Sequence, residues 1–322
     1  MSDEKEIGKA AERAETAETA AAAAAETATG TAEDNPTQVP EEGIGPAAVR
    51  SRFDCVEHVC LTHPGLVRDN NEDSLLGMPS DGVYAVADGM GGGEAGEVAS
   101  RYVVHALRRL LKDSETESPG ERKYRVLQAA KEANKAINRH AEDHRYQTMG
   151  STLVCFLLDP WKSDRAWVSH VGDSRAYCFR EGELFRLTQD HTVGAELKGG
   201  AENSALGHVL TRALGTASSH ELEWSELALC PGDLFLVCSD GLYGMIPDEA
   251  MERLFREDGQ GELPLLADLL LQRALDGGGK DNITLILLRV KKEMPPDAET
   301  LDPLDVEESD HLSKMAEREA AP

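Results

Sequence analysis

Four aspartates stand where short apolar runs begin or end, and this pattern constrains the fold more than any other feature of the sequence. Asp88 follows the run 83–87, Asp240 follows 234–239, Asp173 follows 167–171, and Asp281 precedes 282–288. One aspartate at a strand end is usually only part of a turn. Four in one domain are costly together unless cations neutralise them, and carboxylate oxygens select Mg²⁺ or Mn²⁺. The pattern therefore predicts strands that share a metal site at their ends.

Strands and helices are predicted in blocks rather than in regular alternation. Runs rich in β-branched and apolar residues predict strands at 53–62, 83–87, 151–158, 165–171, 176–180, 183–187, 233–239 and 282–290. Spacing of apolar residues by three and four predicts helices at about 98–111, 121–145, 248–256 and 264–276. The glycine-rich segment 193–220 predicts a mobile loop. This order favours an α+β fold in which helices pack outside antiparallel sheets.

The two ends of the chain differ in composition from the middle. The first fifty residues hold eleven acidic against four basic side chains, and the segment from Glu293 to the end holds ten against two. Both ends have too little apolar surface to offset the entropy of an ordered chain. We therefore predict an acidic disordered segment at 1–52, one folded domain at 53–292 and an acidic tail at 293–322.

The net charge of −26 restricts the partners of the chain. So acidic a surface disfavours nucleic acid and anionic membranes. No apolar run approaches the roughly 20 residues that span a bilayer, and no signal peptide is visible. The six cysteines lack C-x-x-C spacing and are predicted to be reduced core residues, so we expect a cytoplasmic protein. Any phosphate site must obtain its positive charge locally, from an arginine or from metals.

One arginine could supply that charge. Arg68 precedes Glu72 and Asp73 by four and five residues, and a guanidinium binds phosphate oxygens through two parallel hydrogen bonds. The simpler alternative is a surface cluster of ion pairs within this segment. A second compact group, Cys55, His58, Cys60 and His63, has residue types that suit zinc. The two cysteines have opposite parity on a predicted strand and point to opposite faces, which argues against a zinc site.

Eight short motifs together resemble the metal-dependent protein phosphatase family of the 2C type, in particular its bacterial branch. The resemblance covers about 53–291. Its motifs are Gly-Leu-Val-Arg-Asp-Asn-Asn-Glu-Asp at 65–73, Val-Ala-Asp-Gly-Met-Gly-Gly at 86–92, Gly-Ser-Thr at 150–152, Val-Gly-Asp-Ser-Arg-Ala-Tyr at 171–177, Leu-Thr-Gln-Asp-His-Thr at 187–192, Arg-Ala-Leu-Gly at 212–215, Cys-Ser-Asp-Gly-Leu at 238–242 and Lys-Asp-Asn-Ile-Thr at 280–284.

The resemblance implies a sandwich of two antiparallel β-sheets flanked by helices, with a binuclear Mn²⁺ or Mg²⁺ centre at one end. It implies that Asp88 bridges both metals, that the Gly89 carbonyl binds one, and that Asp240 and Asp281 bind the other. Glu72 and Asp73 would act directly or through coordinated water. Asp173 matches a position that holds a weaker third metal, and Arg68 matches the arginine that binds the substrate phosphate.

The implied reaction is hydrolysis of phosphoserine and phosphothreonine by a water that bridges the two metals. Met90 stands where animal members carry a histidine proposed as general acid, so the leaving group must take its proton from a metal-bound water or from another residue. Bacterial relatives commonly oppose Ser/Thr kinases. The expected partners of this monomeric enzyme are therefore phosphorylated proteins, such a kinase and its targets.

Two other interpretations start from the same residues. Gly91, Gly93 and Gly96 satisfy the G-x-G-x-x-G spacing of a dinucleotide site, which needs a second parallel strand ending in an acid about 20 residues later. The following sequence runs into another helix instead. A catalytically inactive member of the family would lack a metal carboxylate, and none is missing here.

Overall fold

Two antiparallel sheets face each other and carry helices on their outer sides. The computed structural model describes residues 53–91, 95–196, 208–216 and 221–291. The predicted acidic segments, 1–52 and 293–322, lie outside these ranges. Within the described ranges every strand pairing is antiparallel, which confirms the predicted α+β sandwich.

The first sheet has the strand order β1-β11-β10-β7-β8 and the second the order β2-β3-β5-β6-β9, with β4 pairing to β3. The strands are β1 (Val56–His63), β2 (Asp73–Met78), β3 (Val83–Gly91), β4 (Met149–Ser151), β5 (Leu153–Leu158), β6 (Arg165–Val171), β7 (Arg175–Arg180), β8 (Glu183–Arg186), β9 (Glu223–Ala228), β10 (Leu234–Cys238) and β11 (Ile283–Val290). The helices are α1 (Ala95–Leu111), α2 (Pro119–His144), α3 (Val193–Glu196), α4 (Asp240–Tyr243), α5 (Asp248–Asp258) and α6 (Leu263–Asp276).

Alternation along each strand divides the interior into three layers. On β3, Val83 and Ala85 pack against α1 and α2, whereas Tyr84 and Val86 lie between the sheets. The other sheet alternates in the same way, because Phe235 of β10 faces the interior while Leu234 packs against α5 and α6. Since side chains two residues apart share a face, Asp88 continues the row of Tyr84 and Val86 into the layer between the sheets.

Several sequence predictions were incomplete. The strands β2 and β9 and the short helices α3 and α4 were not predicted. Of the predicted mobile loop 193–220, residues 193–196 form α3 and 208–216 are held by bridges of Leu210 to Thr192 and of Leu214 to Ser151, while 197–207 and 217–220 lie outside the described ranges. Cys230 is exposed, against the prediction that the cysteines lie in the core.

The dinucleotide interpretation is wrong for the described part of the chain, because α1 does not connect parallel strands there. Gly96 takes part in a close approach of two backbone segments instead. A Cβ atom added at Gly89 would lie 2.0 Å from the carbonyl oxygen of Gly96, so the end of β3 and the start of α1 meet backbone to backbone. Among the helices that the structure describes, none combines the length and the apolar character needed to cross a membrane.

We expect Phe235→Ala to lower the free energy of unfolding by about 3–5 kcal/mol, because it opens a cavity between the sheets. Phe235 is 2% exposed and its ring centroid lies 5.1 Å from that of Phe156. Phe185 on the edge strand β8 is 47% exposed, so Phe185→Ala is the matched control and should change stability by less than about 1 kcal/mol. Urea denaturation measures both variants, and equal losses would contradict the assignment of Phe235 to the central layer.

Candidate metal centre

The centre begins with two carboxylates on neighbouring strands. Asp73 opens β2 and Asp88 lies near the end of β3, and the register of the two strands places them directly opposite each other. Opposite residues in an antiparallel pair have Cβ atoms about 4.5–5.5 Å apart, and like charges there destabilise the sheet. Asp73 is also only 8% exposed, so water does little to screen its charge.

Asp240 and Asp173 join this pair from the facing sheet and from a turn. Asp240 follows β10 at the start of α4, and its carboxyl is close enough to hydrogen-bond that of Asp88. Asp173 lies in the turn between β6 and β7, is 9% exposed, and acts electrostatically on Asp88. The predicted cluster of strand-end aspartates therefore exists at one end of the sandwich.

The pKa values reflect this crowding. Burial, followed by the charges of Asp73, Asp240 and Asp173, raises the pKa of Asp88 well above its ordinary value. Burial raises the pKa of Asp73 to about 7, against the lowering effect of hydrogen bonds from Thr284 and Ser239. Burial and then the charge of Asp240 raise the pKa of Asp173 to about 7. Carboxylates this costly to ionise are those that a bound cation would stabilise.

Hydroxyl and backbone groups orient the aspartates. The Asp88 N–H donates to Thr152 Oγ1 (2.9 Å), the Thr152 N–H donates back to the Asp88 carbonyl (2.8 Å), and Thr152 Oγ1 lies 2.7 Å from Ser174 Oγ. On the facing sheet, Ser239 Oγ donates to Asp73 Oδ2 (2.7 Å). The sequence prediction missed these groups. Ser174 and Ser239 adjoin Asp173 and Asp240 in sequence, which is a weak signal, whereas Thr152 is 64 residues from Asp88 and carried none.

Arg68 lies at the rim of the cluster and contacts Asp281 rather than its neighbours in sequence. Its Nη2 donates to Asp281 Oδ2 at 2.7 Å, and the side chain is half-exposed. This hydrogen bond, followed by the charge of Asp281, raises the pKa of Arg68. The ion-pair alternative predicted from sequence placed the partner of Arg68 within 68–73. In the structure the partner is Asp281, which follows α6. Glu72 lies near both groups. Burial raises the pKa of Glu72, the charge of Arg68 lowers it and the charge of Asp281 raises it, and the net shift is upward.

Asn282 fixes the loop that carries Arg68, and the sequence prediction assigned it no role. Its Nδ2 donates to the carbonyls of Pro64 (3.0 Å) and Asn70 (2.8 Å), and its Oδ1 accepts from the Glu72 N–H (2.8 Å). It is 4% exposed and adjoins Asp281. One amide thus joins both ends of the loop to the strand that follows the metal-ligand candidate Asp281.

A second polar cluster, His170, His191 and Glu223, offers ligand atoms within 4.8 Å of one another, yet its hydrogen bonds do not suit a metal. The Gly172 N–H donates to His191 Nδ1 (3.1 Å), so in the neutral ring Nε2 carries the proton and faces Glu223 Oε1 at 3.0 Å. His170 Nε2 lies 2.8 Å from the Gln189 carbonyl and donates to it. Burial lowers the pKa of both histidines, which favours the neutral rings. We assign this cluster to support of the turn that holds Asp173.

The strand-end cluster does suit divalent cations. Its donors are carboxylate oxygens, which Mn²⁺ and Mg²⁺ prefer. Three of them, from Asp73, Asp88 and Asp240, converge from two sheets. After burial, the charges of Asp73 and Asp240 raise the pKa of Asp88, and the charge of Asp240 raises the pKa of Asp73. A positive charge at this position would relieve both the burial and the repulsion.

A sequence model of the family described as protein phosphatase 2C matches residues 68–265. The serine/threonine phosphatase stp of Listeria innocua is 33% identical over 239 residues, covering 70% of this chain and 93% of that protein. The serine/threonine protein phosphatase PstP of Mycobacterium tuberculosis is 35% identical over 236 residues, covering 70% of this chain and 43% of that protein.

Solved structures give the same result. PppA, a regulatory component of the T6SS in Pseudomonas aeruginosa, has a TM-score of 0.66 at 31% identity and covers 74% of this chain and 98% of its own. The catalytic domain of PstP in complex with two manganese ions has a TM-score of 0.65 at 34% identity and covers 73% of this chain and 98% of its own.

We expect the metal-free protein to lose stability as pH rises from 5 to 8. Asp73 and Asp173 have pKa values of about 7 in the fold against 3.8 in the unfolded chain, so the fold binds more protons between these limits. A loss of about 2 kcal/mol would lower the melting temperature by roughly 4–8 °C in excess chelator. Mn²⁺ should raise the melting temperature more at pH 8 than at pH 5.

The control for this measurement is the double variant Asp73→Asn with Asp173→Asn. The buried histidines His170 and His191 have lowered pKa values and oppose the effect, since they destabilise the fold at low pH. Both proteins keep these histidines, so the difference between the two pH profiles isolates the aspartates. Identical profiles in chelator would refute the electrostatic account of the cluster.

Proposed function

Because this chain belongs to the protein phosphatase 2C family and is a serine/threonine phosphatase of that metal-dependent type, we propose that it hydrolyses phosphoserine and phosphothreonine at a binuclear Mn²⁺ or Mg²⁺ centre. The observation that carries this proposal is the convergence of Asp73, Asp88 and Asp240 from both sheets at one end of the sandwich. The manganese ions in the related PstP catalytic domain also support it.

The proposed ligands are those that the family resemblance implies, and the convergence of buried carboxylates supports them. Asp88 would hold two cations together with the Gly89 carbonyl, Asp240 and Asp281. Glu72 and Asp73 would hold the cations directly or through water. Asp173, in its own turn, would hold a weaker third ion. Bound there, the cations would supply a water that loses its proton readily and positive charge that offsets the phosphoryl oxygens.

The remaining steps belong to side chains of the protein. Arg68 lies at the rim, where its half-exposed guanidinium can reach a phosphate that enters from solvent. Two parallel N–H donors would hold two phosphate oxygens and fix the phosphorus over the carboxylate cluster. Asn282 keeps the Arg68 loop in place through its three hydrogen bonds. Met90 has no proton to give, so it cannot protonate the leaving alkoxide.

We propose phosphoproteins as the substrates, made by a Ser/Thr kinase that this phosphatase opposes. Its relatives are named as serine/threonine phosphatases, which supports the substrate class. We further propose that the enzyme is a monomer in the cytoplasm, where its six cysteines would stay reduced. All six are free thiols in the structure, in keeping with such a compartment.

We expect dephosphorylation of a phosphothreonine protein to require added Mn²⁺ or Mg²⁺ and to stop in excess EDTA, because the cluster alone offers neither a reactive water nor positive charge. Activity should return when Mn²⁺ is restored above the chelator. Full turnover in EDTA would rule out the proposed centre.

Arg68→Ala should lower kcat/KM for a phosphopeptide by roughly ten- to a hundredfold, since charge-assisted bonds to phosphate contribute about 1.5–3 kcal/mol. Metal affinity, measured by Mn²⁺ titration calorimetry, and folding should stay close to wild type. Arg68→Lys should recover only part of the activity, because an ammonium group cannot form the paired bonds.

A matched control separates phosphate binding from loss of a surface ion pair. Arg256 is 54% exposed and pairs with Glu252 at 2.6 Å, much as the 50% exposed Arg68 pairs with Asp281 at 2.7 Å. Arg256→Ala should leave kcat/KM unchanged. If excess Mn²⁺ alone cures the Arg68→Ala defect, Arg68 supports Asp281 and does not bind phosphate.

A further inference from the structure

Two apolar side chains stand in solvent directly before the phosphate-binding arginine. Leu66 and Val67 are each 65% exposed, more than any other large apolar residue in the part of the chain that the structure describes. Resting on the proposed function, we propose that Leu66 and Val67 form a docking surface for the substrate chain. This surface gives the enzyme a preference for phosphorylated residues flanked by large apolar side chains.

The backbone holds these side chains outward. The Leu66 N–H donates to the Gly279 carbonyl at 2.7 Å, and Asn282 fixes Pro64 and Asn70 on either side. Gly65 has a φ of +79°, and a Cβ atom there would lie 2.3 Å from the Asp281 carbonyl oxygen. The loop is thus fastened along its length, and a docking partner would not have to order it first.

The apolar surface extends beyond the loop. A Cβ atom placed on Gly279 would lie 2.9 Å from Leu66 Cγ and 3.1 Å from Leu275 Cδ2, so these two leucines flank the bare backbone of Gly279. Leu275 is half-buried near the end of α6. Leu66 therefore extends the apolar surface of α6 toward Arg68. A single exposed leucine is ordinary on a protein surface, but a continuous apolar patch indicates a binding site.

The position of Leu66 and Val67 next to Arg68 indicates that a substrate peptide would bind there. Successive Cα atoms in a peptide are 3.8 Å apart, so when Arg68 holds the phosphate, the residues beside the phosphorylated one lie within reach of Val67 and Leu66. Substrate side chains of the size of Leu, Ile or Val would bury apolar surface against Leu66 and Val67, and this burial favours binding.

Charge disfavours the alternative of an acidic substrate. Asp69 is exposed in the same loop and is not a proposed metal ligand, and Glu97 lies beside the loop, where Asn70 donates to it at 2.9 Å and Arg101 pairs with it. An acidic residue next to the phosphate would meet the negative charge of Asp69, and like charges reduce affinity. The loop therefore suits phosphopeptides with apolar rather than acidic flanks.

The test compares two phosphothreonine peptides that differ only in carrying leucine or serine on both sides of the phosphorylated residue. Wild-type enzyme with Mn²⁺ should show the higher kcat/KM for the leucine peptide, mainly through a lower KM. In the double variant Leu66→Ser with Val67→Ser, the ratio of the two kcat/KM values should fall roughly three- to tenfold, as expected for losing part of two buried apolar contacts.

Two further variants keep the test decisive. Val67→Ser alone should lower the ratio in the same direction if the double variant proves unstable. Leu265→Ser is the control, because Leu265 is 62% exposed but lies ten residues before Leu275 on α6, about 15 Å along the helix. Its peptide ratio should equal that of wild type.

The outcomes separate the inference from the function on which it rests. A wild-type enzyme that hydrolyses both peptides equally, or a double variant that keeps the preference, would overturn the docking surface while leaving the phosphatase activity in place. If wild type with Mn²⁺ hydrolyses neither peptide nor a small aryl phosphate, the proposed function itself fails and the docking surface with it.

Discussion

The mutual repulsion of buried carboxylates is the constraint on which the rest of this structure depends. Asp73 and Asp88 face each other across β2 and β3, and Asp240 meets Asp88 from the other sheet. Burial raises the pKa of Asp73 to about 7 even though hydrogen bonds from Thr284 and Ser239 lower it. The paired strands hold these side chains together against the repulsion. The unfavourable electrostatic free energy of the clustered carboxylates strongly favours binding of a divalent cation among them.

The rigid frame is built from ordinary strand chemistry. Alternation directs Asp88 into the layer between the sheets, and two hydrogen bonds hold its backbone, one donated to the Thr152 hydroxyl and one accepted from the Thr152 N–H. The loop that carries Arg68 is held differently, because the side chain of Asn282 donates hydrogen bonds to the carbonyls of Pro64 and Asn70. Catalytic geometry here therefore depends on a few buried polar groups in a largely apolar interior.

Sequence patterns predicted the layers and the cluster but not the contacts. Apolar runs located eight strand segments, whereas β2 contains Asp, Ser and Gly, and β9, with the sequence Glu-Trp-Ser-Glu-Leu-Ala at a sheet edge, has neither an apolar run nor regular alternation. Both segments have weak strand signals in sequence, and pairing with their neighbouring strands stabilises them as strands. Asp88, Asp173, Asp240 and Asp281 were predictable because each lies at or near the end of an apolar run, whereas Asp73 came only from the family resemblance. The Arg68 contact was not, because its partner Asp281 is 213 residues away and tertiary packing alone brings them together.

The pairing of β2 with β3 has a consequence for how the protein acquires its activity. Asp73 and Asp88 face one another in a single register, and a shift by one residue would turn Asp73 toward α1 while bringing Ser74 into the layer between the sheets. A misaligned hairpin could still bury most of its apolar residues, yet it would scatter the ligands. Metal uptake during folding would therefore select correctly aligned molecules, and a shortage of the ion would leave inactive chains that are nearly complete in secondary structure.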